Sequence, residues 1–163
     1  MSSKIKIRPI SGSDNKEVAK LIRYVLVEQN APKTGSAYED NALEDLFAEY
    51  DKPRAEYFLL IENDTIIGGA GIQAIANDAS ICELQKMYFL PDARGRGLGQ
   101  KMMDVCLAFA HKHNFKACYI ETLTTMHAAQ KLYRKNKFEY INERLGATGH
   151  YSCPVWMLKK LKD

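Results

Sequence analysis

Short stretches of alternating or continuous apolar residues mark seven parts of the chain as predicted β-strands. These cover residues 4–10, 56–62, 65–76, 80–90, 117–123, 138–142 and 155–161. The dipeptides Asn63-Asp64 and Asn77-Asp78 are turn signals, so three consecutive strands are expected to follow one another as hairpins. The stretch over residues 117–123 is almost wholly apolar, which is typical of a strand covered on both faces.

A second spacing, with apolar residues three or four positions apart, predicts helices over residues 15–30, 40–50, 98–113 and 128–136. Ser13 or Asp14 is placed to cap the first of them. The element order is therefore βααβββαβαββ. It contains one strand–helix–strand unit, whose crossover is expected to be right-handed. The sequence predicts an α/β fold in which helices cover both faces of a mixed sheet.

The length of 163 residues is typical of one domain, and we expect residues 1–163 to form it. The net charge of +3 is mild and the basic residues are spread along the chain, so nucleic acid is not an expected partner. No apolar stretch approaches the roughly 20 residues that span a bilayer, so no membrane association is expected. The first residues, MSSKIKIRPI, lack the apolar region of a signal peptide.

The cysteines are Cys82, Cys106, Cys118 and Cys153. None of them forms a C-x-x-C pair, and three lie in apolar stretches. This pattern favours buried thiols in a reduced compartment over a disulfide framework, so we expect a cytoplasmic protein.

The segment RGRGLG, residues 94–99, stands between a predicted strand and a predicted helix. Glycines there allow backbone amides to approach a ligand closely. The first turn of a helix adds unpaired N–H donors and a partial positive charge. Together with Arg94 and Arg96, these features predict an anion site, most naturally for phosphate. The alternative is a glycine-rich turn that only caps the helix.

Two common phosphate motifs do not fit this segment. Its spacing is G-x-G-x-G, whereas the dinucleotide fingerprint is G-x-G-x-x-G and a Walker loop needs G-x-x-x-x-G-K-[ST]. The spacing R-x-x-G-x-G at Arg94, Gly97 and Gly99 resembles the pyrophosphate motif of the GCN5-related N-acetyltransferase (GNAT) family. ELQKMYFLP at residues 83–91 looks like the fourth strand of that family, and AAQKLYRKNKF at residues 128–138 looks like the helix after its fifth strand.

The resemblance extends over nearly the whole chain and implies a GNAT-like fold, a mostly antiparallel sheet with a splayed central parallel pair. It implies acetyl-CoA as the co-substrate and no metal. The pantetheine arm would lie along the fourth strand, where a bulge would open a cleft, and the pyrophosphate would lie on the glycine loop. The residues that it places on acetyl-CoA are Met87, Tyr88, Phe89, Arg94, Gly95, Arg96, Gly97, Leu98, Gly99, Gln100 and Ala129.

Acetyl transfer to an amine requires a base for the ammonium proton and a proton for the departing thiolate. Glu83 lies where the family has its glutamate base, and a partly apolar cleft would raise its pKa. The alternative for Glu83 is an ion pair with a neighbouring cation such as Lys86, and His150 is the reserve candidate for the base. Tyr133 matches the tyrosine that lies near the acetyl-CoA sulfur in the family, and is the candidate acid. The alternative for Tyr133 is a place in the core.

The candidate acceptor contacts are Tyr38 and His150. His150 lies in TGHYSCPVW, which we interpret as a hairpin loop over the acceptor end of the cleft. A metal site there is disfavoured because no second ligand pair is present. Residues 38–51 carry six acidic residues and no basic one, so they form either a rim that attracts a cationic amine or a solvated helix face.

One residue departs from the family pattern. Lys137 stands where the family usually has glycine, before the phenylalanine of the last motif. This position ends a helix in the left-handed conformation, and we expect Asn136 to take over that role because asparagine tolerates it.

The sequence therefore predicts an N-acetyltransferase that moves an acetyl group from acetyl-CoA to a primary amine, most simply that of a small molecule. Two alternatives stay open: an acyl-CoA sensor without turnover, and a nucleotide-binding protein that uses the glycine loop. The identity of the acceptor is open, as is the oligomeric state, for which a homodimer is one candidate.

Overall fold

The computed structural model describes residues 3–146 and 153–162. Within them, seven strands form one sheet in the order β1-β2-β3-β4-β5-β7-β6, and β4 and β5 are its parallel pair. The strands are β1 (Ile5–Pro9), β2 (Glu56–Glu62), β3 (Thr65–Ile75), β4 (Asp78–Phe89), β5 (Ala117–Thr122), β6 (Glu139–Tyr140) and β7 (Val155–Lys160). The other neighbours in the sheet are antiparallel. The expected mixed, mostly antiparallel sheet is confirmed.

The helices lie on both faces of the sheet, as the sequence predicts. They are α1 (Asn15–Glu28), α2 (Leu46–Tyr50), α3 (Leu98–Lys112) and α4 (His127–Lys135). Met102 of α3 and Tyr133 of α4 share one core with Leu60, whereas Leu21 of α1 shares a second core with Leu59. Neighbouring strand residues thus serve opposite cores, which is the two-residue period of a β-strand. None of the helices in the described residues is long and apolar enough to span a membrane.

The helix predicted over residues 40–50 is interrupted. The chain forms a 3-10 segment, Asn41–Asp45, followed by the short helix α2. Asp40 accepts a hydrogen bond from the amide of Ala42, and Asp45 accepts one from the amide of Ala48. Each aspartate therefore starts a new helical segment, because its side chain replaces the backbone acceptor of the preceding turn. The prediction of one continuous helix was wrong for this reason.

Asp14 stands at the start of α1, but its carboxylate makes no hydrogen bond to that helix. It accepts hydrogen bonds from the amide and hydroxyl of Ser11 and pairs with Arg8 at 2.8 Å. The Arg8 guanidinium lowers the pKa of Asp14 to about 2. Asp14 therefore fixes the turn that leads into α1 and ties it to β1.

Helix α4 ends in a Schellman motif. The amide of Lys137 donates to the carbonyl of Arg134, and the amide of Phe138 donates to the carbonyl of Tyr133. The rings of Tyr133 and Phe138 lie 6.0 Å apart, the apolar contact that usually accompanies this motif. The position of Tyr133 is therefore coupled to the way in which the helix ends.

The left-handed residue of this motif is Lys137, with φ of 71°, whereas Asn136 has φ of −91°. The expectation that Asn136 would adopt the left-handed conformation was wrong. Its side chain instead bonds Gln100 of α3 and the carbonyl of Leu132, which holds it inside the helical turn. After α1 and α3 the equivalent left-handed residues are asparagines, Asn30 and Asn114.

Replacing Lys137 by glycine should stabilise the protein. The left-handed conformation costs a residue with a Cβ about 1–2 kcal/mol, and the greater freedom of glycine in the unfolded chain cancels about half of the gain. We expect a net gain of about 0.5–1 kcal/mol, or about 1–4 °C in thermal midpoint. Lys135 is the last residue of α4, two positions before Lys137, and Lys135→Gly should lower the midpoint instead. Equal effects of the two variants in thermal denaturation would contradict the strain at Lys137.

Candidate active site

An extra residue in β4 opens the sheet at its centre. The register with β3 shifts between Gly69 and Gly71, so that Lys86 and Met87 together oppose Ala70. Lys86 has φ of 49°, and the buried hydroxyl of Tyr57 donates to its carbonyl at 2.7 Å. This is the bulge that the family resemblance implies, placed at the start of the 87–89 segment.

The parallel pair ends just before this bulge. Ile81–Glu83 pair with Ala117–Tyr119, and no further pairing of β4 with β5 follows in the described residues. The splayed central pair is therefore confirmed. The gap that it leaves is lined by the ends of both strands and by α4.

Three cavities follow one another through this gap. The apolar cavity, of about 390 Å³, contains eight of the residues expected at the site: Met87, Tyr88, Phe89, Arg94, Gly95, Gly99, Ala129 and Tyr133. The junction cavity, of about 40 Å³, shares Tyr133 with it and adds Lys86, Glu121 and Cys153. The polar cavity, of about 470 Å³, shares Lys86 with the junction cavity and contains Glu83, Gln73, Gln85, Asp40 and Glu49.

The glycine loop has the geometry of a backbone anion site. Gly95 and Gly97 have φ of 71° and 75°, and a Cβ added to either would meet nothing within 4 Å. Gly97 is the N-cap of α3, and no described residue caps that helix with a side chain. The loop therefore leaves open space around its backbone beside the apolar cavity, so a ligand can approach its amides closely.

The two arginines of the loop form ion pairs with glutamates of the same protein. Arg94 makes two hydrogen bonds of 3.0 Å to the Glu28 carboxylate and two more to the carbonyl of Phe89. Arg96 pairs with Glu62. The pairing with Arg94 also lowers the pKa of Glu28. Both guanidinium groups therefore brace the loop against α1, β2 and β4.

The remaining predicted loop residues have structural contacts. Leu98 is buried in the core on the α3 side. Gln100 exchanges hydrogen bonds with Asn136 and donates to Asp104. Neither they nor Arg96 and Gly97 line the apolar cavity. The Gln100 side chain holds α3 to the end of α4, and the four residues can contribute only their backbone amides to a ligand.

Tyr133 is 5% exposed and lies where the apolar and junction cavities meet. Its hydroxyl forms no hydrogen bond with any described residue. Burial raises the pKa of Tyr133 well above its usual value. The Tyr133 ring packs against Phe138 in the core, whereas its hydroxyl is available at the cavities.

Glu83 is 3% exposed and faces the polar cavity. Burial raises its pKa to about 7, and the nearby charge of Glu121 adds to this effect. Gln85 donates to Glu83 Oε2 at 2.8 Å, and the amide oxygen of Gln85 accepts from Tyr50 and Gln73. The network fixes the Glu83 carboxylate, and no cation among the described residues is in contact with it.

The alternative of a Glu83–Lys86 ion pair is not what the structure contains. The Lys86 ammonium lies 2.9 Å from Asp40 Oδ2. Its side chain is 4% exposed, so this is a buried ion pair between β4 and the segment before α2. Asp40 belonged to the predicted acidic segment, but its pairing with Lys86 has no periodic signal in the sequence.

A second buried carboxylate, Glu121, lies beside Glu83 and was missed by the sequence analysis. Tyr119 donates to Glu121 Oε2 at 2.7 Å, and Arg144 lies 3.7 Å from the same oxygen. A Cβ added to Gly146 would lie 3.6 Å from Glu121 Oε2 and 3.7 Å from Glu83 Oε2. Residues 144–146 therefore cover both carboxylates. The signal that could have found Glu121 is a lone glutamate in an otherwise apolar central strand.

The predicted acceptor contacts are not brought together. Tyr38 lines none of the three cavities, and its ring lies beside Lys33 and Arg23. His150 lies outside the described residues. Cys153 from the same predicted loop does line the junction cavity, and burial raises the pKa of its thiol to about 11.

Some residues of the acidic segment make structural contacts, and others line the polar cavity. Glu44 pairs with Arg23 at 2.8 Å, and Asp45 caps α2 and accepts a hydrogen bond from Asn15. Asp40 and Glu49 line the polar cavity. No group of three or more histidine, cysteine, aspartate or glutamate side chains that could hold a metal ion occurs in residues 3–146 and 153–162.

Comparison with known proteins identifies the class that this fold and these cavities define. The model of the acetyltransferase (GNAT) family matches residues 23–138. The chain is 37% identical to YjgM, an uncharacterized N-acetyltransferase of Escherichia coli K12, over 95% of this chain and 94% of that protein. The chain therefore belongs to the GNAT family of acetyltransferases, and the resemblance noted in the sequence is confirmed.

Solved structures agree in fold. PaiA N-acetyltransferase of Thermoplasma acidophilum, in complex with coenzyme A, superposes with a TM-score of 0.76 at 18% identity, over 96% of this chain and 99% of that chain. YncA of Salmonella typhimurium, with its cofactor acetyl-CoA, superposes with a TM-score of 0.76 at 15% identity, over 98% and 95% of the two chains. Two proteins with this fold thus bind coenzyme A or its acetyl ester.

The raised pKa of Glu83 predicts a pH-dependent stability. Its pKa is about 7 in the folded protein against 4.5 for the free side chain, so the folded state holds a proton that the unfolded state releases. Stability from this group is complete below pH 4.5 and is lost as the pH rises through 7. The loss is on the order of 3 kcal/mol.

Glu83→Gln removes this dependence. The difference in thermal midpoint between the variant and the wild type should therefore shift in favour of the variant between pH 4.5 and 7 and be constant above pH 7. The exposed Glu139→Gln should keep a constant difference throughout. A pH-independent difference for Glu83→Gln would show that Glu83 is ionised in the folded protein over the whole range.

Proposed function

We propose that the protein transfers the acetyl group of acetyl-CoA to a primary amine of a small molecule, with Glu83 as the base and Tyr133 as the acid. The observation that carries the proposal is the series of three cavities. Tyr133 lies where the apolar and junction cavities meet, and Lys86 lies where the junction and polar cavities meet. A donor in the first cavity and an acceptor in the third would approach each other at the junction.

The apolar cavity suits the donor. Met87, Tyr88 and Phe89 border it along β4, whose pairing with β5 has ended, so their backbone is placed to bind an extended amide-containing arm. The glycine loop at its end offers amides and the N-terminus of α3 to a pyrophosphate. Coenzyme A complexes of proteins with the same fold support this placement.

The polar cavity suits the acceptor. A pKa near 7 makes Glu83 half-protonated at neutral pH, which is close to the optimum for a general base. Glu83 would take the proton that the attacking amine loses, directly or through a water. Backbone amides at the bulge would stabilise the developing oxyanion, and the Tyr133 hydroxyl would give its proton to the departing sulfur.

Donor binding is tested at Gly97. Gly97→Asp should weaken acetyl-CoA binding by about 100-fold or more, because a carboxylate would face the pyrophosphate at close range. Gly97→Asn is the matched control, since it has the same shape and the same tolerance of the left-handed conformation without the charge. Calorimetric titration of both variants with acetyl-CoA measures the difference. Equal affinities would mean that the glycine loop only caps α3.

Proton transfer is tested at Tyr133. Tyr133→Phe should lower kcat by about 10-fold to 1000-fold, with little change in acetyl-CoA affinity, because it removes one hydroxyl and keeps the packing of the ring. Tyr24→Phe, at an exposed tyrosine of α1, is the control and should leave both quantities unchanged. Release of coenzyme A with a panel of primary amines gives kcat. An unchanged kcat would assign Tyr133 to the core, and no turnover with any amine would favour an acyl-CoA sensor.

A further inference from the structure

Lys86 is a buried cation for which acetyl transfer has given no role. Its side chain is 4% exposed, and its backbone is in the left-handed conformation with φ of 49°. A buried charge and a left-handed lysine both cost free energy, and such residues concentrate at functional sites. Lys86 also lines both the junction and the polar cavity, and its ammonium is paired with Asp40, which lines the polar cavity as well.

Asp40 pairs with this ammonium without using all of its donors. The ion pair of 2.9 Å compensates the positive charge inside the protein. A lysine ammonium has three N–H donors, and the pair with Asp40 uses one. No other described residue accepts a hydrogen bond from Lys86. Donors of a buried cation are therefore available to an anionic group that enters the polar cavity.

Glu83 offers the opposite chemistry in the same cavity. Its Oε2 accepts from Gln85, whereas its Oε1 accepts no hydrogen bond from the described residues. The amide nitrogen of Gln73 donates to Gln85 and Glu49, which turns its oxygen away from them and leaves that oxygen without a described donor. Both side chains are more than nine-tenths buried, so these acceptor atoms can be satisfied only from the cavity.

We propose that the acceptor is a free α-amino acid, whose carboxylate binds the Lys86 ammonium while its amine faces Glu83 Oε1. This inference rests on the proposed function. An ammonium has donors only and a carboxylate has acceptors only, so the two ends of the amino acid complement the two sets of unused atoms. The zwitterion also brings no net charge into a region where Asp40 and Lys86 already compensate each other.

Other acceptors fit these atoms less well. A simple amine or a diamine would satisfy Glu83 and leave the donors of Lys86 unused, with its own positive charge close to the lysine. A peptide N-terminus has an amide where the free amino acid has its carboxylate. The cavity volume of about 470 Å³ leaves room for a side chain beyond the amine and carboxylate.

The test compares matched acceptors. Each of a set of L-amino acids is assayed against its carboxamide, its decarboxylated amine and a dipeptide that begins with the same residue. The amino acid should have kcat/KM about 10-fold to 100-fold higher than the other three, as expected for hydrogen bonds to a charged group. The carboxamide has the more weakly basic amine, so free-amine content alone would produce the opposite order.

Variants assign the preference to Lys86. Lys86→Met/Asp40→Asn removes the ion pair as a unit and should reduce the preference for the amino acid over its carboxamide to about 3-fold or less, by raising KM for the amino acid alone. Lys86→Arg should retain most of the preference. Lys52→Met removes an exposed lysine at the mouth of the polar cavity and should leave the preference unchanged. Thermal denaturation confirms that each variant is folded.

The possible failures are distinct. Acetylation of the carboxamide, the decarboxylated amine or the dipeptide as efficiently as the amino acid would overturn this inference and keep the proposed function. The same holds if Lys52→Met abolishes the preference as fully as the double variant, because general electrostatics would then explain it. Binding of acetyl-CoA without acetylation of any amine would overturn the proposed function itself.

Discussion

The extra residue in β4 is the constraint on which the rest of the site depends. Two residues, Lys86 and Met87, occupy the space opposite Ala70, so the strand bends and loses its register with β5. The buried Tyr57 hydroxyl bonds the carbonyl of Lys86 and stabilises the bend from the α1 side. The bend leaves Met87 without a register partner in β3, beside the apolar cavity, and Lys86 at the polar cavity. A regular strand in this place would extend the parallel ladder and close the gap.

The face of the sheet beneath α1 and α2 is polar at its centre, and this keeps the acceptor side open. Gln73 is paired with Glu83 in the register, and Glu83 is paired with Tyr119, so all three side chains lie on one face. Helix α2 covers only part of this row, at Gln73, which donates to Glu49, and the helical segment before α2 is interrupted at Asp45. Apolar side chains in this row would be buried by close packing of the helices against the sheet. The polar side chains make hydrogen bonds within the sheet face instead, and a cavity lies above them.

Periodic patterns in the sequence predict the helices and strands, but they do not show which residues far apart in the chain form ion pairs. The two-residue and 3.6-residue periods placed the strands and three of the four described helices within a few residues, because burial on one face imposes them. The break at Asp45 and the left-handed Lys137 are local, but each depends on which of two neighbouring polar residues makes a hydrogen bond. The pairs Lys86–Asp40 and Arg94–Glu28 join residues far apart in the chain, and neither partner occupies a position that a periodic pattern marks. Glu83 and Tyr133 were found through a family motif, not through their spacing.

The pairing of the loop arginines changes the physical account of the anion site. The sequence suggests that Arg94 and Arg96 supply its positive charge, but Glu28 and Glu62 neutralise them in the folded protein. The attraction for a phosphate group must then come largely from oriented amides and the N-terminus of α3, which act over short distances. Arg94 contributes in another way, because it holds the carbonyl of Phe89 and the end of α1 to the loop at the same time. The geometry of the amides is thereby tied to β4 and to α1, whose Val25 borders the apolar cavity, so the glycine loop and two walls of the donor cavity share one support.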